Sequence, residues 1–169
     1  MATFIKIYQT EVGAGGATSI DFNSIPSTYT DLCLKVSARG TTGSFPSLRI
    51  TVNGATTNYS SRRLYGDGTT AASDTPTTPV YLTQQPIPSA SETASTFANV
   101  EYYFPNYAGS TNKAVSVDSV AENNATATYT MLNSGLWSQT TAISSLSLFL
   151  SSGNLAQYST ATLYGISKS

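Results

Sequence analysis

Residues 141–166 read TAISSLSLFLSSGNLAQYSTATLYGI. Leu146, Leu148 and Leu150 alternate with Ser147 and Phe149, and a period of two marks a strand with one face in a core. Ser151, Ser152, Gly153 and Asn154 interrupt the pattern as a turn does. Residues 158–164 (YSTATLY) resume with the β-branched and aromatic bias of a second strand. Two strands joined by so short a loop predict an antiparallel hairpin near the end of the chain.

The same reading extends toward the N-terminus. TFIKIYQT (3–10) is a first strand, and SIDF (19–22) returns after the glycine-rich turn at 12–17. In residues 29–39, Leu32, Leu34, Val36 and Ala38 point one way; Asp31, Cys33, Lys35, Ser37 and Arg39 point the other. Leu48, Ile50 and Val52 alternate with Arg49, Thr51 and Asn53. Asn53-Gly54 follows at once, the strongest short hairpin signal in the chain, and predicts a return strand over 56–65. GDGTTAASDTPTTP (66–79) reads as a long surface loop. Residues 80–85 form an edge strand, because Pro79, Pro86 and Pro88 flank them. FANVEYYF (97–104), 113–122 and 126–132 are further strands, the last two meeting around Asn123-Asn124, and residues 135–138 connect them to the final pair.

About eight to ten short strands with turns between them, and no period of 3.6, predict an all-β fold. The expected architecture is an antiparallel, two-sheet, jelly-roll-like β-sandwich, one domain spanning 1–169. Its 169 residues and 17.8 kDa suffice for a sizeable core.

Composition narrows the function. Charged residues are 10% of the chain, against roughly 25% in ordinary soluble domains, and the net charge is −1. Eight scattered basic residues against nine acidic ones lack the clustered cations that nucleic acid requires, so none is expected as a partner. No apolar run approaches the roughly 20 residues of a membrane span, and no secretory signal is visible at the start. A single cysteine, Cys33, excludes an internal disulfide and suits a reducing compartment.

Histidine is absent, which removes the usual general base and metal ligand. A glycosidase needs only two carboxylates, and Glu101, Asp118 and Glu122 fall on predicted strands, but solubility alone calls for a few exposed acids. Asp67 and Asp74 are too far apart in sequence to suggest a calcium loop. No enzyme activity, metal or cofactor is expected. Asn58-Tyr59-Ser60 and Asn124-Ala125-Thr126 match the glycosylation triplet, without a signal peptide to give it use. The remaining candidates are for partner binding: Arg62, Arg63 and Tyr65, where planar cations meet an aromatic, with Phe4 in the first strand, Tyr107 and Trp137. For the aromatics, core packing is the competing reading.

Five segments carry a resemblance: IPSTYTDLCLKVSAR (25–39), PNYAGSTNKAVSVDSVAENNATATY (105–129), SGLWSQTTAISSLSL (134–148), QYSTATLYGI (157–166) and ATLYGISKS (161–169). Together they resemble a family of small virion structural proteins, head decoration or tail accessory, of tailed bacteriophages common among phages of aquatic bacteria. Residues 66–94 lie outside the resemblance. It implies a virion component assembled in the host cytoplasm, with no signal peptide. The role expected is a capsid decoration (cement) protein on the outer surface of the head. It would be a homo-oligomer, a trimer, adhering to the major capsid protein, and a compact domain without shaft or heptads fits. The alternative is a tail-fibre tip or receptor-binding module that recognises host surface glycans through exposed aromatics, expected in the unmatched segment 66–94.

Overall fold

The structure, a computed structural model, describes residues 3–75, 80–123 and 128–167. Twelve strands and no helix occur among them. In chain order they are β1 (Thr3–Glu11), β2 (Ser19–Phe22), β3 (Asp31–Ala38), β4 (Ser47–Val52), β5 (Tyr59–Gly66), β6 (Ala71–Asp74), β7 (Thr83–Pro86), β8 (Ala98–Phe104), β9 (Lys113–Glu122), β10 (Thr128–Trp137), β11 (Leu146–Leu150) and β12 (Thr160–Ser167). An eight-stranded sheet has the order β1-β12-β3-β8-β9-β10-β5-β6, and a four-stranded sheet has the order β2-β11-β4-β7. The described neighbours pair antiparallel throughout. The all-β two-sheet sandwich expected from the sequence is present.

The order has a simple origin. β1 pairs with β12, β2 with β11, β3 with β8 and β4 with β7, as if one long hairpin were folded on itself. Rolling that hairpin brings β12 against β3 and β11 against β4, which is the jelly-roll arrangement. The four strands left over, β9, β10, β5 and β6, continue the large sheet past β8. They enter the sequence as two insertions, β5–β6 between β4 and β7 and β9–β10 between β8 and β11.

This wrapping corrects two predicted hairpins. β11 lies in the small sheet and β12 in the large one, so they do not pair. Consecutive strands along either arm of a rolled hairpin belong to opposite sheets, and residues 151–159 cross between them. The same holds at Asn53-Gly54. The turn itself forms as read, with both residues at positive φ (50° and 67°) and Ala55 N–H donating to Val52 O at 2.9 Å, yet β4 and β5 lie in different sheets. The turn is a corner. It is held by the Tyr59 hydroxyl, which accepts from Val52 N–H (2.9 Å) and lies 3.1 Å from Ala55 O, and by Asn53, whose Oδ1 accepts from Ser144 and Ser145 N–H (2.9 and 3.0 Å).

Other expectations fare better. β9 and β10 pair along ten residues each, although residues 124–127, including Asn124 and the second glycosylation triplet, lie outside the described residues. β10 runs on through Gly135 and Trp137 instead of ending at 132. β7 is an edge strand as expected from its prolines. The 66–79 loop contains a strand, β6, and residues 76–79 lie outside the described set.

The core lies between the sheets. β9 alternates buried and exposed along its length, with Val115, Val117 and Ala121 inward, and meets Leu32, Leu34, Tyr102, Phe104, Leu48, Ile50, Leu146 and Leu148 in one buried cluster. Each such aliphatic or aromatic side chain contributes about 1.5–3 kcal/mol by leaving water. Under the added strands the interior turns polar. β7 approaches β10 closely because Gly135 has no side chain: a Cβ there would stand 2.8 Å from Thr83 Cγ2. Beside it Ser119 Oγ donates to Gln85 Oε1 (2.9 Å) and Asn133 Nδ2 to Gln84 O (3.2 Å).

Candidate functional site: the open face of the added strands

The small sheet covers one face of the large sheet; the other face is open. Alternation assigns its residues. On β9 these are Ala114, Ser116, Asp118, Val120 and Glu122, on β10 Thr130, Leu132, Ser134 and Leu136, and on β5 Ser60, Arg62 and Leu64. The ladder sets Leu64, Leu132 and Asp118 in one row, and Arg62, Ser134 and Ser116 in the next. Leu64 and Leu132 are direct cross-strand neighbours, yet they remain 59% and 55% exposed. Such a pair stabilises its own sheet by less than about 1 kcal/mol; its uncovered apolar area is what an incoming surface would bury.

Three shallow depressions run across these strands. One of about 570 Å³ is lined by Arg62, Leu64, Ser73, Ser116, Leu132 and Ser134 among others. A second of about 500 Å³ continues over Leu64, Tyr65, Ala71, Thr130 and Leu132. A third, about 280 Å³, lies between Ser60, Arg62, Ala114 and Leu136. All three belong to β5, β6, β9 and β10 with the residue after β6, and none involves the rolled hairpin itself. The surface combines apolar and hydroxyl side chains with Arg62 on β5 and Asp118 and Glu122 on β9.

The structure divides the sequence candidates. Arg62 stands on the open face, its Nη1 donating to Ser61 O at 2.9 Å. Arg63 and Tyr65 are one residue out of phase and turn to the opposite face, opposite Asn133 and Met131. There Arg63 Nε donates to Asp74 Oδ1 at 2.6 Å, and its Nη2 to the other carboxylate oxygen, tying β5 to β6. The expected cluster of two cations and an aromatic is therefore split between faces. Tyr107 is fully buried, its hydroxyl donating to Pro26 O, and Trp137 is buried in the core cluster; both rings take the packing role. Phe4 is exposed, packed edge-on to Tyr164 with ring centroids 6.1 Å apart, at the far end of the same sheet.

The carboxylates are placed as follows. Glu101 and Asp118 are direct cross-strand partners on the open face, but Lys35 Nζ sits 2.6 Å from Glu101 Oε2 and neither acid lines the three depressions. Asp67 accepts from Thr69 and Thr70 N–H and from the Thr69 hydroxyl, and these bonds hold its carboxyl below the usual range. Asp74 is taken by Arg63. Among the described residues no three acidic or thiol groups gather as metal ligands would, and no helix is long and apolar enough to cross a membrane.

Leu64, Leu132 and Val120 were not among the sequence candidates, although a signal exists. Met131-Leu132 places two apolar residues side by side on one strand, so one must face outward. Val120 likewise breaks the phase set by Val115 and Val117. No protein family matches the chain, and no curated protein matches it either.

Proposed function

We propose that this chain is a virion structural protein of a tailed bacteriophage, a capsid decoration (cement) protein. It binds the outer surface of the major capsid protein lattice and stabilises the head. The observation that carries this reading is the open face of β5, β6, β9 and β10. It is broad and shallow, with Leu64 and Leu132 uncovered at its centre and Arg62, Asp118 and Glu122 beside them on the same face. A surface of this kind suits another protein surface better than a small molecule, which a deeper and more enclosed pocket would serve. The family resemblance in the sequence supports the same reading.

The mechanism is adhesive. Each copy that straddles capsomer boundaries adds contacts that must break before the shell opens, and attachment at several lattice points raises the effective concentration of every one. The low charge leaves little repulsion between neighbouring copies. A host-glycan reader would instead present clustered aromatics, expected over residues 66–94. That segment has one aromatic, Tyr81, which is buried under the Arg49 guanidinium, 4.4 Å from its ring centre, and its exposed large apolar residue is the aliphatic Val80.

Co-sedimentation tests the proposal. Purified protein is mixed with heads stripped of accessory proteins and, separately, with host cells. Saturable binding to heads and none to cells is expected. Binding to cells alone, competed by surface polysaccharide, would overturn it in favour of receptor recognition.

A further inference from the structure

The described edge strands of the two sheets are unequal. β2, β6 and β7 have four residues each, whereas β1 has nine. Long exposed edges invite pairing with another chain, and most proteins keep them short. β1 is also poorly covered on its faces, with Phe4 54% and Ile5 41% exposed.

β1 carries a bulge. Lys6 is opposite Tyr164 and Tyr8 is opposite Leu163, so Ile7 has no counterpart on β12. The extra residue reverses the phase of side chains. Phe4 and Lys6 before it, and Gln9 and Glu11 after it, share the open face, where Lys6 Nζ donates to Gln9 Oε1 at 2.9 Å. Ile5, Tyr8 and Thr10 take the other face, where the Tyr8 hydroxyl donates to Asn23 O at 2.8 Å. Counted outward from the Ile7–Tyr8 step, the two halves are therefore mirror images: Lys6 matches Gln9, Ile5 matches Thr10 and Phe4 matches Glu11.

We propose that the β1 edge is the contact for a second copy of this chain, whose β1 adds antiparallel across a two-fold axis with bulge opposite bulge. Lys6 then lies opposite Gln9 of the second copy, Ile5 opposite its Thr10 and Phe4 opposite its Glu11, and the two large sheets become one. A straight foreign strand of regular alternation falls out of phase on passing Ile7, whereas a second β1 changes phase at the same point. The bulge that blunts the edge against other strands thus selects its own copy. Charge agrees: Lys6 comes diagonally beside Glu11 of the second copy on the same face, and the axis makes that pair twice. The contact is two-fold, and a trimer would need a different surface.

Sedimentation equilibrium of the full chain over a range of concentrations reads the contact directly and needs no capsid, so its outcome is separate from that of the decoration reading. A concentration-dependent dimer is expected. Lys6→Glu or Glu11→Lys alone turns both symmetric attractions into repulsions and weakens dimerisation about tenfold or more, while the double reversal restores it. Far-ultraviolet circular dichroism verifies that each variant keeps its fold. A monomer at every concentration, indifference to the single reversals, or no recovery in the double variant would each overturn the pairing.

Discussion

Cys33 stands in register between Tyr164 of β12 and Tyr103 of β8, on the face of the large sheet that is otherwise open, and yet it is fully buried. Burial pushes its thiol from an ordinary 9.0 up to about 11, with the nearby Glu101 carboxylate adding to the effect. The reactive species is the thiolate, so a thiol reagent at pH 8 is expected to leave the folded protein unlabelled and to label one site per chain in urea. The same shift has a stability consequence. Below pH 9 both states keep the proton and nothing changes with pH. Between 9 and 11 the unfolded chain ionises while the folded one does not, so stability falls as pH rises. In Cys33→Ala the decline begins only near pH 10, where buried Tyr59 and Tyr102, whose hydroxyls burial also raises, take over. Urea midpoints measured from pH 8 to 10.5 check it, and a Cys33→Ala curve that tracks the parent would sink the explanation. Lys113 shows burial in the opposite sense. Its ammonium, 1% exposed, donates to the carbonyls of Gly109, Thr111 and Thr140 and takes the part a bound cation would play in folding residues 105–112.

At the scale of elements, individual strands were legible and, β9 with β10 apart, their partners were not. β4 and β9 alternate cleanly because one face of each is in the core and the other is in water or half-exposed, and β3 does so except at Cys33, which is buried on the outer face. Local pattern carries that information. Pairing in a rolled hairpin joins residues such as Leu34 and Tyr102, or Thr3 and Ser167, and no local signal reports so remote a neighbour. Asn53-Gly54 illustrates the difference. The dipeptide specified its turn correctly, because both residues must adopt positive φ, but the long-range bonds of Asn53 turn that corner toward residues 142–145 rather than into a hairpin. Asn53 Nδ2 donates to Ala142 O at 2.8 Å, while its Oδ1 receives Ser144 and Ser145 N–H. Asn53→Ala loses these bonds and strains the left-handed backbone, at a cost of about 3 kcal/mol. Asn53→Asp keeps the acceptor and the tolerance for positive φ, forfeiting only the donor, and costs about 1 kcal/mol. Urea denaturation measures both, and equal losses in the two variants would mean that the acceptor does not hold the corner.

For the whole molecule, the added strands separate the parts that keep the fold from the face proposed to dock. The rolled hairpin supplies most of the buried cluster, while the depressions all lie on the insertions. Arg62 was a sequence candidate and stands on the open face; Leu64 and Leu132 were hidden because an apolar residue on a strand reads as core until its phase is fixed by the ladder. This division makes the decoration reading testable by substitution. Leu64→Glu and Leu132→Glu change side chains that are already more than half exposed, so each shifts stability by about 1 kcal/mol, the loss of their cross-strand pair, with Leu132→Glu the more costly because Asp118 lies opposite it. Tyr158→Glu serves as the control, since Tyr158 is equally exposed and apolar but precedes β12, away from the insertions. If the open face meets the shell, each leucine variant carries a charge into the desolvated centre of the contact and weakens head binding at least tenfold. The tyrosine variant binds as the parent does. Co-sedimentation titrations on stripped heads give the affinities and thermal melts give the stabilities. Leucine variants that stay folded and bind like the parent would remove this face from the capsid contact, whereas loss of binding by Tyr158→Glu alone would move the contact to the end of the molecule where β12 begins.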